Sequence, residues 1–212
     1  DGESAVVRNS SRGGRRRHET ALVVLVVLGL LGVVPGTAVA DGNESSGAPL
    51  EFRAVSAGDG FTCAILAAGG SVRCWGMNQY GQLGLGDTVD RGDTPEAMGA
   101  NLPAVDLGSG HSATALAAGT RHVCALLDDG GVKCWGSSSG SGALGQPTGQ
   151  RIGDEPGEMG DALPPVDLPL PATAITVGDG HTCALLVDAT LRCWGANSLG
   201  QLGRGDNHSP AA

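Results

Sequence analysis

Past residue 50 the chain is a succession of short apolar runs, each stopped by glycine or aspartate. ATAITVG (172–178) alternates small and apolar positions in the two-residue period of a strand, and its glycine ends it. CALL (124–127) reads as a second strand, and Asp128-Asp129-Gly130-Gly131 turns the chain into a third, VKCW (132–135). Asp-Gly and Gly-Gly between β-type runs are hairpin signals. PAVDL (103–107) and PPVDL (164–168) read as a fourth strand whose prolines are confined to its entry. A long glycine-rich connection with no helical period separates the third strand from the fourth.

This unit is written three times. Cys-Ala falls at 63, 124 and 183, and Trp-Gly at 75, 135 and 194. GQLGLGDT (81–88) matches GQLGRGDN (200–207), GDTPEAMG (92–99) matches GDEPGEMG (153–160), and LPAVDL (102–107) matches LPPVDL (163–168). A period near 60 residues with four short strands per unit is the pattern of β-propeller blades. The expected fold is therefore all-β, a partial propeller of about three four-stranded blades: 52–108, 109–168 and an incomplete 169–212. About three blades cannot close a ring, so the chain reads as an open arc or as part of a longer one.

The cysteines fit hairpins. Cys124 and Cys134 are symmetric about Asp129, Cys183 and Cys193 about Asp188, and Cys63 and Cys74 about the Ala68–Gly69 bond. A hairpin turning at those points sets each pair directly opposite, within disulfide reach. Three bridges are expected, each inside one hairpin and each worth at most ~2–3 kcal/mol because the closed loop is short. No Cys-x-x-Cys or zinc-type spacing competes with this reading. The three tryptophans are expected to pack between successive blades, and the glycine after each to permit close backbone approach.

Charge and the first forty residues narrow the setting. Arg15-Arg16-Arg17 precede an apolar run from Ala21 to Val34, and Ala38-Val39-Ala40 supplies small residues for cleavage. Residues 1–40 read as an export signal and 41–51 as a linker. Fourteen apolar residues are short of the ~20 a membrane span needs, so contact with a membrane is expected only through an uncleaved signal anchor. Residues 41–212 hold 8 of the 13 Lys+Arg and 19 of the 22 Asp+Glu, a net of −11. That field disfavours nucleic acid. An even cysteine count in an exported chain points to a secreted, extracellular or periplasmic location.

At GDGHTCALLVDATLRCWGANSLGQLGRGD (178–206) the chain resembles the repeat of the regulator of chromosome condensation family, and more closely its cysteine-bearing, secreted bacterial branch. The resemblance covers residues 52–212. It implies a propeller of four-stranded blades, usually seven to a ring, and a family in which inhibitors of secreted enzymes occur.

No catalytic, cofactor or metal residues stand out. His122 and His181 are repeat-equivalent, and Phe61 fills that place in the first unit, so a structural role is expected. His111 and His208 read as surface residues. The Gly-Asp pairs read as turn caps rather than calcium ligands, and Arg91-Gly92-Asp93 and Arg204-Gly205-Asp206 as coincidences of composition. The loop after Trp-Gly varies most between repeats, which makes Met77, Gln79, Tyr80, Ser138 and Asn197 the candidates for partner contact. The favoured function is a non-catalytic exported module binding a protein or glycan through these loops. The alternatives are a glycan-active extracellular enzyme and, least favoured, a guanine-nucleotide-exchange-type regulator. Open blade edges would also invite self-association.

Overall fold

The computed structural model describes residues 50–146 and 151–208. The expected signal segment and most of the linker lie outside the described residues. Eleven strands form three antiparallel sheets. The first holds β1 (Phe52–Ala57), β2 (Phe61–Leu66), β3 (Val72–Gly76) and β4 (Ala104–Val105), in that order. The second holds β5 (Ala113–Ala118), β6 (His122–Leu127), β7 (Val132–Ser137) and β8 (Arg151–Ile152). The third holds β9 (Ala172–Val177), β10 (His181–Leu186) and β11 (Leu191–Gly195). Single 3-10 turns lie at Pro95–Ala97 and Gly99–Asn101, between β3 and β4, and at Gly160–Ala162, after β8.

Hairpin register follows the cysteines. Cys63 faces Cys74, Cys124 faces Cys134 and Cys183 faces Cys193. All three pairs are disulfides with Cα atoms 4.1 Å apart. Bridges of this kind belong to an oxidising compartment. Each first strand also carries a one-residue bulge at the same place, at Arg53, Thr114 and Thr173. The hydroxyls of Thr114 and Thr173 fill in there, donating to the carbonyls of Leu126 and Leu185 at 3.1 and 3.2 Å.

The fourth strand departs from expectation in the second blade. Its PPVDL segment forms no regular strand; Val166 N–H bonds Val132 O at 2.7 Å and the ladder stops. In the first blade Ala104 pairs with Arg73 at the preceding position, whereas the matching residue here is Pro165, whose ring holds φ at about −65°, away from the extended value of an antiparallel strand. The edge is instead taken by β8, in which Ile152 pairs with Gly136. The first blade has the same contact as a single bridge between Gly76 and Arg91.

Blades bury one another. Every residue of β6 and β7 is buried, while β1 and β11 are only partly covered, because only the middle blade is covered on both faces. Trp135 is fully buried and donates Nε1–H to Gln82 O of the first blade at 3.1 Å. Trp194 repeats the contact one blade on, to Ala143 O at 2.9 Å. Each indole lies over a glycine of positive φ: a Cβ on Gly84 or Gly145 would stand 2.8 Å from the indole nitrogen. Trp75 has no such seat among the described residues and is half-buried beside Phe52. After each Trp, Gly76, Gly136 and Gly195 take φ near 100° where a Cβ would meet a carbonyl oxygen of the neighbouring turn.

Trp135→Ala is expected to cost about 3–5 kcal/mol, the range for emptying a fully buried aromatic site. Trp75→Ala, at a half-covered position, should cost clearly less. Urea unfolding midpoints of the two variants check this; equal losses would contradict it.

Candidate interaction surface

The turns opening each hairpin and the loops following each Trp-Gly lie together at one end of the sheets. Met77 N–H bonds Gly60 O, Ser137 N–H bonds Arg121 O, and Ala196 N–H bonds Gly180 O, each at 2.8 Å. Between blades this end is tied by Thr120, whose hydroxyl donates to Asp179 Oδ1 at 2.5 Å. The hairpin tips around Asp128 and Asp188 lie at the opposite end.

Within the loops the recurring asparagine is a staple. Asn78 Oδ1 accepts Leu83 N–H at 2.9 Å while its Nδ2 donates to Asp87 O at 2.8 Å. Asn197 does the same with Leu202 N–H and Asp206 O, at 3.0 and 2.9 Å. Both side chains are fully buried. Ser138, at the matching place in the second blade, is also buried, its carbonyl accepting Ser141 N–H at 2.9 Å. Of the five contact candidates, Asn197 and Ser138 are therefore interior residues that shape the loop. The signal was present: Asn78 and Asn197 recur, and recurrence marks what holds the blade.

Met77, Gln79 and Tyr80 remain at the surface or its edge, with Gln79 exposed. Tyr80 is half-buried by two cations from the second blade. The Arg121 guanidinium lies 4.6 Å from the ring centroid and that of Arg151 5.4 Å. Arg151 is also 3.9 Å from Asp154. These cation–π contacts fasten the first blade's loop to the second. Arg121 was legible as an exception, since it replaces the glycine that precedes Phe61 and His181. Leu199, the counterpart of Tyr80 in the third blade, is 90% exposed.

Beneath this end sit the repeat-equivalent rings. His122 is fully buried, and its Nε2 lies 3.1 Å from Thr182 Oγ1 of the third blade. The Thr182 hydroxyl donates to Ala143 O at 2.9 Å, so the imidazole donates through Nε2 and leaves Nδ1 bare. Burial, reinforced by His181 and opposed by Asp179, lowers the His122 pKa to about 4. The residue is a neutral inter-blade strut, in keeping with the structural role expected of it.

At the opposite end His111 Nδ1 approaches Asp128 Oδ1 at 3.6 Å and Asp129 Oδ2 at 3.7 Å. Among the described residues this is the one group of His, Cys and acidic side chains close enough to share an ion. All three are exposed, and pairing of imidazole with carboxylates accounts for their geometry. Ser112, donating to Asp128 Oδ2 at 3.0 Å, holds that carboxyl below its usual pKa.

Sheets of this order, stacked through a buried indole, define a β-propeller repeat protein. The regulator of chromosome condensation (RCC1) repeat matches residues 52–82, 113–143 and 172–201 in one form and 69–126 in another. The chain belongs to that family. It is 29% identical over 158 residues to the ultraviolet-B receptor UVR8 of Arabidopsis thaliana, covering 74% of this chain and 32% of the receptor. It is 33% identical over 145 residues to the probable E3 ubiquitin-protein ligase HERC3 of Homo sapiens, covering 66% of this chain and 12% of the ligase. The chain thus spans about a third or less of these relatives. Among solved structures, human WBSCR16 superposes with a TM-score of 0.60 at 17% identity, over 81% of this chain and 39% of that one. Prp20p of Saccharomyces cerevisiae, described with its binding to Gsp1p and histones, gives 0.56 at 19% identity, over 75% of this chain and 36% of that one.

His122 yields a pH prediction. Its folded pKa of about 4 lies below the 6.5 of an unfolded histidine, so between these values the unfolded state binds more protons. Stability is complete above pH 6.5 and falls as pH drops towards 4, by up to about 3 kcal/mol from this residue. His122→Phe, the residue found at position 61, should flatten that decline without unfolding the protein. Urea midpoints measured from pH 7.5 to 4.5 check this; an unchanged slope in the variant would contradict it.

Proposed function

We propose that this chain is an exported, non-catalytic propeller module that binds a protein partner through the loops following Trp-Gly. The observation that carries the reading is the division of labour within those loops. Asn78, Gln82 and Asn197 recur and are buried in holding the loop, whereas Gln79 and Leu199 vary and are exposed. Variable side chains on a braced scaffold are the arrangement of a recognition surface.

Several features support the parts of the proposal. Three disulfides in hairpins suit an oxidising, extracellular setting, and no helix among the described residues is long and apolar enough to cross a membrane. The surface end gathers an aromatic ring and two arginines, residue types that anchor protein contacts. Relatives described with protein partners, such as Prp20p with Gsp1p and histones, favour a protein over a glycan.

Site-specific photocrosslinking tests the surface. A benzophenone amino acid at Gln79 should trap a partner protein from the extracellular fraction, and the same group at Asp129, on the opposite end, should not. Trapping from position 129 alone would overturn the proposal.

A further inference from the structure

The two outer faces of the arc carry matching halves of the joint that holds its blades together. In the first and second blades the Gly-x-Leu-Gly turn seats an indole: Trp135 on the carbonyl of Gln82 and Trp194 on that of Ala143. The same turn is fully formed in the third blade. Gly203 N–H bonds Gly200 O at 3.0 Å, as Gly84 N–H bonds Gly81 O at 2.9 Å, and Asn197 braces it as Asn78 does. Nothing among the described residues stands within 4 Å of where a Cβ on Gly203 would be. On the same blade Leu191, in β11, and Leu199, in the loop leading to this turn, are 63% and 90% exposed. On the first blade Trp75 lacks a seat, next to Phe52 and to Val55, which is 69% exposed.

We propose that these faces take each other: Trp75 of one copy of this chain docks in the Gly203 notch of a second copy, donating its indole N–H to the Gln201 carbonyl. Two filled examples within the chain define the occupant as an indole followed by glycine on a disulfide-closed hairpin. Trp75-Gly76 is the hairpin of that kind whose indole is not seated. The contact buries apolar faces, as the two inner joints do, and differs from pairing of strand edges at β4 or β8. It is heterologous, so each docked pair keeps one notch and one indole free and assembly continues or closes into a ring. With a net charge of −11 over residues 41–212, the copies repel at long range. Raising the salt therefore strengthens the association.

Complementation between two variants of the full chain tests this by light scattering coupled to gel filtration. Trp75→Ala removes the indole. Gly203→Asn adds a Cβ that, as at Gly84 and Gly145, would stand 2.8 Å from a seated indole nitrogen, and asparagine tolerates the positive φ of 67° at that site. The unmodified chain should gain mass with concentration, and more so at high salt. Each variant alone should stay monomeric with unchanged circular dichroism. Mixed, they should form a 1:1 dimer and nothing larger, since one notch and one indole remain. A wild-type chain that is monomeric at its highest soluble concentration overturns the proposal. So does assembly by either variant alone, or a mixture that stays monomeric.

Discussion

The fold depends on one joint: an indole from the second and from the third blade, each laid over a glycine of the blade before, its N–H bonded to the carbonyl two residues earlier. No sheet here has enough large side chains to form a core alone, since aromatic residues are only 3% of the chain. Burial therefore comes from stacking, and the fully covered β6 and β7 of the middle blade show the outcome. The glycine is required by space, as a Cβ on Gly84 or Gly145 would collide with the indole. Each Trp needs its glycine one repeat earlier in sequence, so the joint is inseparable from the repeat.

Disulfides serve this joint from a distance. By closing each hairpin, they fix the register that puts Trp one residue past the second cysteine on a defined face of the strand. Their loops are short and their entropic contribution modest, ~2–3 kcal/mol at most. Register matters more, because a one-residue slip would turn the indole to the other side of the sheet. Polar residues complete the stack: Thr182 joins His122 to Ala143, and the arginines over Tyr80 clamp the outer loop.

Much of this was legible in the sequence because repetition acts as an internal comparison. Three copies gave the blade, the hairpins, the cysteine pairing and the inter-blade role of tryptophan. Failures came where repetition was overlooked or where a single residue broke it. Asn197 was placed among contact residues although Asn78 recurs at its position. Pro165 turned an expected strand into one hydrogen bond, since its ring fixes φ away from the extended value at a pairing position rather than at the strand entry. Arg121 and Arg151 were missed because their target, Tyr80, lies 41 and 71 positions away in sequence, and only blade stacking brings them together.

Three tryptophans in the whole chain give three indole N–H signals, and their hydrogen-exchange rates test the joint directly. With the chain monomeric, Trp135 should exchange slowest, near the rate of global unfolding, Trp194 next, and Trp75 fast. Trp135 exchanging as quickly as Trp75 would contradict the account, since the indole seat would then not be what holds neighbouring blades together.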